Sequence, residues 1–177
     1  MIGVLVSGEG TNLQALVDAG LPVRAVASNR ADARALARAE RAGIAAEVFE
    51  LDSYRSRAER DEAMGAWLAA QGVELVVCAG YMQLLTSVFL DRYPGRIVNV
   101  HPSLLPEFPG VRAIDDALEA GVETTGVTVH LVDEGLDTGD VIRQEPLPVE
   151  PRETLAERIH AVEHRLLPEV VRELCVR

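Results

Sequence analysis

The stretch Asn99-Val100-His101-Pro102-Ser103-Leu104-Leu105-Pro106 indicates both where a strand ends and where a ligand binds. The apolar residues 97–100 predict a buried strand, and Pro102 ends it because proline has no N–H group to donate to the sheet. Side chains alternate between the two faces of a strand, so Asn99 and His101 point to the same side. Open α/β sheets bind ligands at the carboxyl ends of their strands, so the segment predicts a functional site there.

Strand and helix patterns alternate along the first hundred residues. Buried strands are predicted at residues 2–6, 23–27, 46–49, 75–79 and 97–100, with helices at about 13–19, 31–42 and 57–71 and a helical turn near 87–93. After Gly110, a helix at about 113–120 leads into strands at 126–132 and 141–148, and a closing helix runs from 154 to about 174 with a kink at Pro168. We therefore expect an α/β fold with a mostly parallel sheet, helices on both faces and an antiparallel C-terminal hairpin.

Composition and charge narrow the class of protein. The 177 residues suit one domain, and the net charge of −11 argues against broad nucleic-acid binding, which needs a basic surface. We find neither a membrane-spanning apolar run of ~20 residues nor a secretory signal, and the isolated Cys78 and Cys175 fit a reduced cytoplasm. All 17 basic residues are arginine. This excludes a Schiff-base lysine and a Walker-type phosphate loop.

A glycine-containing turn, Ser7-Gly8-Glu9-Gly10-Thr11-Asn12, joins the first strand to the first helix. Free N–H groups at a helix start bind anions, so the turn favours a monophosphate site, with a purely structural turn as the alternative. A dinucleotide site is disfavoured because Leu13 replaces the third glycine of the fingerprint. In addition, Ser28-Asn29-Arg30 follows the second strand where NAD sites carry an acidic residue.

Two further motifs have competing interpretations. The acidic loop at residues 133–140 is typical of a solvated hairpin, and its spacing does not match a calcium-binding EF-hand. His160-Ala161-Val162-Glu163-His164 spells an inverted zinc-peptidase motif, with His160 and His164 on one helix face. Only Glu169 and Glu173 follow as candidate third ligands. A helix face that lines a pocket is therefore favoured over a zinc site.

Together these segments resemble the glycinamide ribonucleotide formyltransferases of purine biosynthesis. Four blocks in family order carry the resemblance over nearly the whole chain: residues 7–14, 79–85, 99–110 and 126–139. The resemblance implies a Rossmann-like formyltransferase fold and a single domain over residues 1–177, with a phosphate-binding N-terminal half and a folate-binding, catalytic C-terminal half. Methionyl-tRNA formyltransferases share the Asn–His–Asp site but need an added C-terminal domain, for which we expect no room.

The resemblance also implies the chemistry. The amine of glycinamide ribonucleotide attacks the formyl carbon of 10-formyltetrahydrofolate, which is a co-substrate, and no metal is needed. Asn99 and His101 would donate hydrogen bonds to the oxyanion, while Asp137 would favour the imidazolium form of His101 and order a water that moves the proton. The implied ribonucleotide-binding residues are Gly10, Thr11, Asn12, His160 and Glu163. The implied folate-binding residues are Arg57, Met82, Gln83, Leu84, Leu85, Asn99, Asp133, Glu134, Gly135, Leu136 and Asp137.

The sequence departs from the family pattern at Glu9, Arg112 and Asp115, which puts substrate affinity in question rather than the reaction. Three other functions stay open: a 10-formyltetrahydrofolate hydrolase, a zinc hydrolase that uses His160 and His164, and a folate- or nucleotide-binding module without turnover. For the formyltransferase we expect small-molecule substrates, a cytoplasmic location and a monomer or homodimer, with no nucleic-acid or membrane partner.

Overall fold

The computed structural model describes residues 1–176, which contain seven strands, six α-helices and two short 3₁₀ helices. The strands are β1 (Ile2–Val6), β2 (Val23–Ser28), β3 (Ala45–Val48), β4 (Leu75–Cys78), β5 (Ile97–His101), β6 (Thr124–Leu131) and β7 (Val141–Pro148). The helices are α1 (Thr11–Asp18), α2 (Arg34–Arg41), α3 (Arg57–Ala70), α4 (Ser87–Leu90), α5 (Ala113–Ala120) and α6 (Leu155–Val176). Every predicted element is present, with ends shifted by up to three residues.

All seven strands belong to one sheet in the order β3-β2-β1-β4-β5-β6-β7. The pairs from β3 to β5 are parallel, whereas β6 pairs antiparallel with both β5 and β7. The prediction of a mostly parallel sheet with an antiparallel C-terminal hairpin is confirmed. The strand order reverses between β1 and β4, so the loops that follow these two strands diverge and leave a crevice at their carboxyl ends.

The side chains of β1 point alternately to the two faces of the sheet, and helices cover both faces. Val4 and Val6 belong to the apolar cluster that includes residues of α1 and α6, while Leu5 belongs to the cluster that includes residues of α3. All three side chains are fully buried. Because both faces of the sheet are covered in this way, the carboxyl ends of the strands are left as the place where a ligand can reach the sheet.

The closing helix α6 continues through Pro168, which is buried within it. Its apolar side chains pack on the sheet, and its first half passes beside the turn that follows β1. The kink expected at Pro168 stays a prediction. Within residues 1–176, no helix combines the length and the apolar character that crossing a membrane requires.

Candidate active site

The end of β5 places Asn99 and His101 in one cavity, as the alternation of the strand predicts. Pro102 follows at once and β5 ends at His101. In the antiparallel ladder Asn99 lies opposite His130 of β6, and His101 lies opposite Thr128. The neighbouring strand therefore adds a second imidazole beside the Asn99 amide.

Asp137 reaches the same place from the loop between β6 and β7. Its Oδ1 lies 3.5 Å from the Asn99 Nδ2 that donates to it, and its Oδ2 lies 3.4 Å from His101 Nδ1. The amide of Gly110 also donates to Oδ2 at 2.8 Å. Asp137 has a φ of 54°, a left-handed conformation uncommon for residues other than glycine. Asp137 thus lies within hydrogen-bonding or ion-pairing range of both Asn99 and His101, and all three line one cavity.

The His101 ring is buried between two oxygen acceptors. Its Nε2 lies 2.8 Å from the Phe108 carbonyl, and its Nδ1 faces the Asp137 carboxylate. Phe108 has a left-handed φ of 51°. Each ring nitrogen therefore has an oxygen acceptor within reach.

His130 is a site residue that the sequence reasoning did not assign. Its Nδ1 lies 2.7 Å from the Leu131 carbonyl, so Nδ1 donates to that oxygen and Nε2 faces Asn99 and Asp137. That Nε2 lies 3.2 Å from Asn99 Nδ2 and 3.6 Å from Asp137 Oδ1. His130 therefore fixes which way the Asn99 amide points. The alternation of Thr128 and His130 with apolar residues was the available signal.

The Asp137 carboxyl is held in its ionised form. Burial alone would raise its pKa, but the neighbouring His130 ring, the Gly110 amide and the charge of His101 together hold the pKa below its ordinary value. The side chain is 11% exposed. Asp137 is therefore a fixed negative charge next to His101 at neutral pH.

The first cavity has a volume of about 200 Å³ and opens in front of these side chains. Of the predicted folate-binding residues, nine line it: Met82, Gln83, Leu84, Leu85, Asn99, Asp133, Gly135, Leu136 and Asp137. Arg57 and Glu134 are not part of its lining. Arg57 instead donates through Nη2 to the Leu84 carbonyl at 2.9 Å, so it supports the wall of the cavity from outside.

A second cavity, of about 630 Å³, lies at the turn between β1 and α1. All five predicted ribonucleotide-binding residues line it: Gly10, Thr11, Asn12, His160 and Glu163. Gly10 precedes α1 with a φ of 72°, and a Cβ there would lie 2.6 Å from the Cβ of Ala35. Only glycine suits this position, where the chain turns to direct the first N–H groups of α1 outward.

Glu163 links α6 to the start of α1. Its Oε2 accepts a hydrogen bond of 3.0 Å from Asn12 Nδ2, and the carboxyl is buried. Burial raises the pKa of Glu163, while the Asn12 amide and the charge of His160 act in the opposite direction. The pair joins the two chain segments that form the floor of the second cavity.

The departures from the family pattern also lie at this second cavity. The Glu9 carboxylate lies 3.2 Å from Arg34 Nη1, so its negative charge is compensated locally. Arg112 pairs with Glu119 at 2.7 Å on an exposed face of α5. Arg112 and Asp115 both line the second cavity, so a ligand bound there would lie near them.

The residues that the structure describes do not supply a complete set of ligands for the alternative zinc site. His160 lines the second cavity, whereas His164 lines a separate groove that also contains Arg38. Glu169 and Glu173, the two candidate third ligands, both pair with Arg143. No cluster of three or more histidine, cysteine, aspartate or glutamate side chains suited to a metal ion occurs in residues 1–176.

The two cavities are neighbours with a common wall. Six residues line both of them: Gly80, Met82, Gln83, Val100, Pro102 and Val111. The side chains of Asn99, His101 and Asp137 belong to the first cavity, close to this wall. Two ligands bound in the two cavities would meet at the carboxyl end of β5.

Comparison with known proteins shows which family the sequence and the fold match. The family model described as formyl transferase matches residues 1–171. The phosphoribosylglycinamide formyltransferase of Haemophilus influenzae is 40% identical over 97% of this chain and 85% of that protein. The crystal structure of glycinamide ribonucleotide transformylase 1 from Symbiobacterium toebii superposes with a TM-score of 0.94 at 48% identity, covering 97% of this chain and 85% of that one.

A longer relative shows the same similarity in one of its parts. The trifunctional purine biosynthetic protein adenosine-3 of Gallus gallus is 44% identical over 94% of this chain, which spans only 18% of the length of that protein. The similarity to the Haemophilus protein, by contrast, extends over most of both chains. The chain therefore belongs to the formyl transferase family, among the phosphoribosylglycinamide formyltransferases.

Proposed function

We propose that this enzyme transfers the formyl group of 10-formyltetrahydrofolate to the amine of glycinamide ribonucleotide, which yields formylglycinamide ribonucleotide and tetrahydrofolate. The observation that carries the proposal is the common wall of the two cavities, with Asn99, His101 and Asp137 beside it. A formyl donor in the first cavity and an amine in the second would bring nucleophile and electrophile together. Such positioning converts a reaction between two molecules into one within a single complex.

The proposed reaction begins when the amine nitrogen attacks the formyl carbon. A C–N bond forms, the carbonyl oxygen becomes negatively charged, and the bond from that carbon to the folate nitrogen then breaks. The amine loses one proton and the folate nitrogen gains one, so the protons balance. A positioned water between the two nitrogens can carry this proton, and the Asp137 carboxylate is the group placed to orient it.

Asn99 and His101 would stabilise the negative oxygen. The Asn99 amide has two N–H bonds, and its Nδ2 faces His130 Nε2 at 3.2 Å and Asp137 Oδ1 at 3.5 Å. The formyl oxygen would take the place of the longer contact, the one to Asp137. We infer that the His101 N–H that faces the Phe108 carbonyl in the free protein turns to the formyl oxygen when the donor is bound. The Asp137 carboxylate, 3.4 Å from the other ring nitrogen, holds the ring in place for this contact.

The first cavity would enclose the ring end of the folate. Its volume is below the ~300–1,000 Å³ typical of sites that enclose a whole drug-sized ligand, so the rest of the folate must lie outside it. The exposed apolar side chains of Met82, Leu84 and Leu136 surround the opening and suit that part of the molecule. Main-chain groups of the wall can read the polar edge of the ring.

The second cavity would take the ribonucleotide. Main-chain N–H groups of Gly10, Thr11 and Asn12 at the start of α1 suit a phosphate, which the helix dipole also favours. Glu163 and His160 then face the ribose and glycinamide part. We propose one domain in which α6 completes the phosphate-binding half by supplying these two residues.

We also propose that the enzyme works in the cytoplasm as a monomer or homodimer on small-molecule substrates. The net charge of −11 supports the proposal that nucleic acid is not a partner. We further propose that no metal takes part, because amine attack on a formyl carbon needs only hydrogen-bond donors and a path for one proton.

A spectrophotometric assay of tetrahydrofolate release tests the proposed function. We expect release from 10-formyltetrahydrofolate only when glycinamide ribonucleotide is present. Release at the same rate without the ribonucleotide would instead identify a 10-formyltetrahydrofolate hydrolase. Binding of both ligands with no release would identify a binding module, and loss of activity on chelation would support the zinc hydrolase.

A further inference from the structure

Residues 82–86 form the second part of the connection between β4 and α4 and have no regular secondary structure, yet four of them line the first cavity. A loop of this kind keeps one shape only if its main-chain groups have fixed partners. The partners of this loop are side chains from other parts of the fold. They determine where the cavity wall lies.

Three side chains hold three main-chain groups of the loop. The Met82 amide donates to Ser7 Oγ at 2.8 Å, and the Leu84 carbonyl accepts from Arg57 Nη2 at 2.9 Å. The Thr86 amide donates to Asp61 Oδ2 at 2.7 Å. Arg57 and Asp61 are four residues apart and so lie on one face of α3, which supports the loop along its second half.

Asp61 is the least expected of these contacts because its carboxylate is fully buried. Its Oδ1 accepts two hydrogen bonds from the equally buried Arg60, from Nε at 2.9 Å and from Nη2 at 2.6 Å. Neither residue lines either of the two substrate cavities. A buried ion pair is no more stabilising in general than apolar side chains of the same size, so stability alone does not account for it.

Compared with an apolar side chain, the Asp61 carboxylate supplies a strong, directed hydrogen-bond acceptor for the Thr86 amide. We propose that Asp61, with its charge balanced by Arg60, is a positioning residue that holds the loop of residues 82–86 in the shape that binds the formyl donor. This inference rests on the proposed function for the identity of the ligand. The hydrogen bond to the Thr86 amide is the contact through which Asp61 acts.

Two double variants distinguish the effect of the Asp61 oxygen as a hydrogen-bond acceptor from the effect of its negative charge. Arg60→Met with Asp61→Leu removes both charges at once and leaves the Thr86 amide without an acceptor. Arg60→Met with Asp61→Asn also removes both charges but keeps a side-chain oxygen in place. We expect the KM for the formyl donor to rise at least about tenfold in the first and to stay within about threefold of the parent value in the second. The KM for the ribonucleotide should change less than that for the donor, because only Met82 and Gln83 of the loop also line the second cavity.

Thr86→Pro offers a second route if the leucine variant does not fold. The φ of Thr86 is −81°, close to that of proline, and the buried Thr86 Oγ1 has no hydrogen-bond partner among the described residues. The change therefore removes mainly the N–H donor. It should raise the KM for the formyl donor by a similar factor and change the KM for the ribonucleotide less.

Leu68→Ala is the matched control for lost stability. Leu68 is buried on the same helix, where it faces Gly3. We expect it to lower the melting temperature without changing either KM. The proposal would be overturned if the KM for the donor were the same in the leucine double variant, the asparagine double variant and Thr86→Pro. It would also be overturned if Leu68→Ala raised this KM as much as the leucine double variant does.

Amide hydrogen exchange tests the contact without any substrate. The Thr86 amide should be protected in the parent and exchange at least about tenfold faster in Arg60→Met with Asp61→Leu, but not in the asparagine variant. If the parent transfers no formyl group, the proposed function fails while this measurement still decides the role of Asp61. Fast exchange at Thr86 in the parent would overturn the proposal by itself.

Discussion

The Oδ2 atom of Asp137 lies 3.4 Å from Nδ1 of His101, although the two residues come from different segments of the fold. His101 ends β5, and Asp137 belongs to the loop that joins β6 to β7. Both side chains are largely shielded from water, at 5% and 11% exposure. At this distance and burial, the electrostatic interaction between the carboxylate and the imidazole is much stronger than that between the same two groups exposed to water.

This relationship predicts the outcome of removing either partner. His101→Ala or Asp137→Asn should lower kcat at least ~10²-fold, because each removes a charge or donor needed where the oxyanion develops. Circular dichroism and thermal melting should show the fold intact. Turnover close to that of the parent in either variant would reject the role proposed for that residue.

His130 should matter through Asn99 rather than through the substrate. His130→Ala removes the acceptor that orients the Asn99 amide, so we expect kcat to fall about tenfold with both KM values nearly unchanged. His164→Ala serves as the matched control because His164 lines a separate groove, and its kcat should be normal. Equal effects of the two changes would argue against the orienting role.

The turn before α1 should control ribonucleotide binding. Thr11→Ala or Asn12→Ala keeps the main-chain N–H groups but removes a side chain of the turn, and Asn12→Ala also removes the hydrogen bond to Glu163 that holds the turn in place. We expect either change to raise the KM for the ribonucleotide about tenfold while kcat changes little, since the phosphate is bound equally in the ground and transition states. Gln14→Ala on the same helix is the control, because its amide donates to the exposed Asp18. A defect confined to kcat would contradict phosphate positioning.

Glu163 should make stability depend on pH. Burial raises its pKa in the folded protein, so its contribution to stability is fully present below the unfolded pKa near 4.5 and is lost as the pH rises through the folded pKa. Glu163→Gln removes that loss and keeps an oxygen for Asn12. The variant should therefore gain stability over the parent as the pH rises, with little difference at about pH 4.

Urea unfolding at several pH values measures this difference. The same variant should bind the ribonucleotide more weakly, because it lacks the charge in the second cavity. A stability advantage of Glu163→Gln that grows towards acid pH would show that the pKa of Glu163 is lowered in the folded protein.

Much of the fold was predictable because each element carries its own periodic signal. The continuous apolar runs of β1 and β4 predict buried parallel strands. The alternation of apolar and polar residues in β6 predicts a strand of an antiparallel hairpin. For the site, Pro102 and the alternation of β5 were sufficient to place Asn99 and His101 together. These signals are local, so the sequence displays them directly.

The rest depends on contacts between distant segments. Asp137 reaches His101 through a loop with a left-handed residue, and only the family resemblance pointed to it. His130 lies opposite Asn99 because of the register between β5 and β6, which alternation alone does not determine. Asp61 looks like one more charge on an amphipathic helix until the loop that it holds is seen.

Carbon-13 NMR with the label in the formyl group of 10-formyltetrahydrofolate tests the central claim most directly. With stoichiometric enzyme and glycinamide ribonucleotide, the label should move to the amide of formylglycinamide ribonucleotide, and Asp137→Asn should leave it on the folate over the same time. Label that appears as free formate, or equal transfer by Asp137→Asn, would contradict the account.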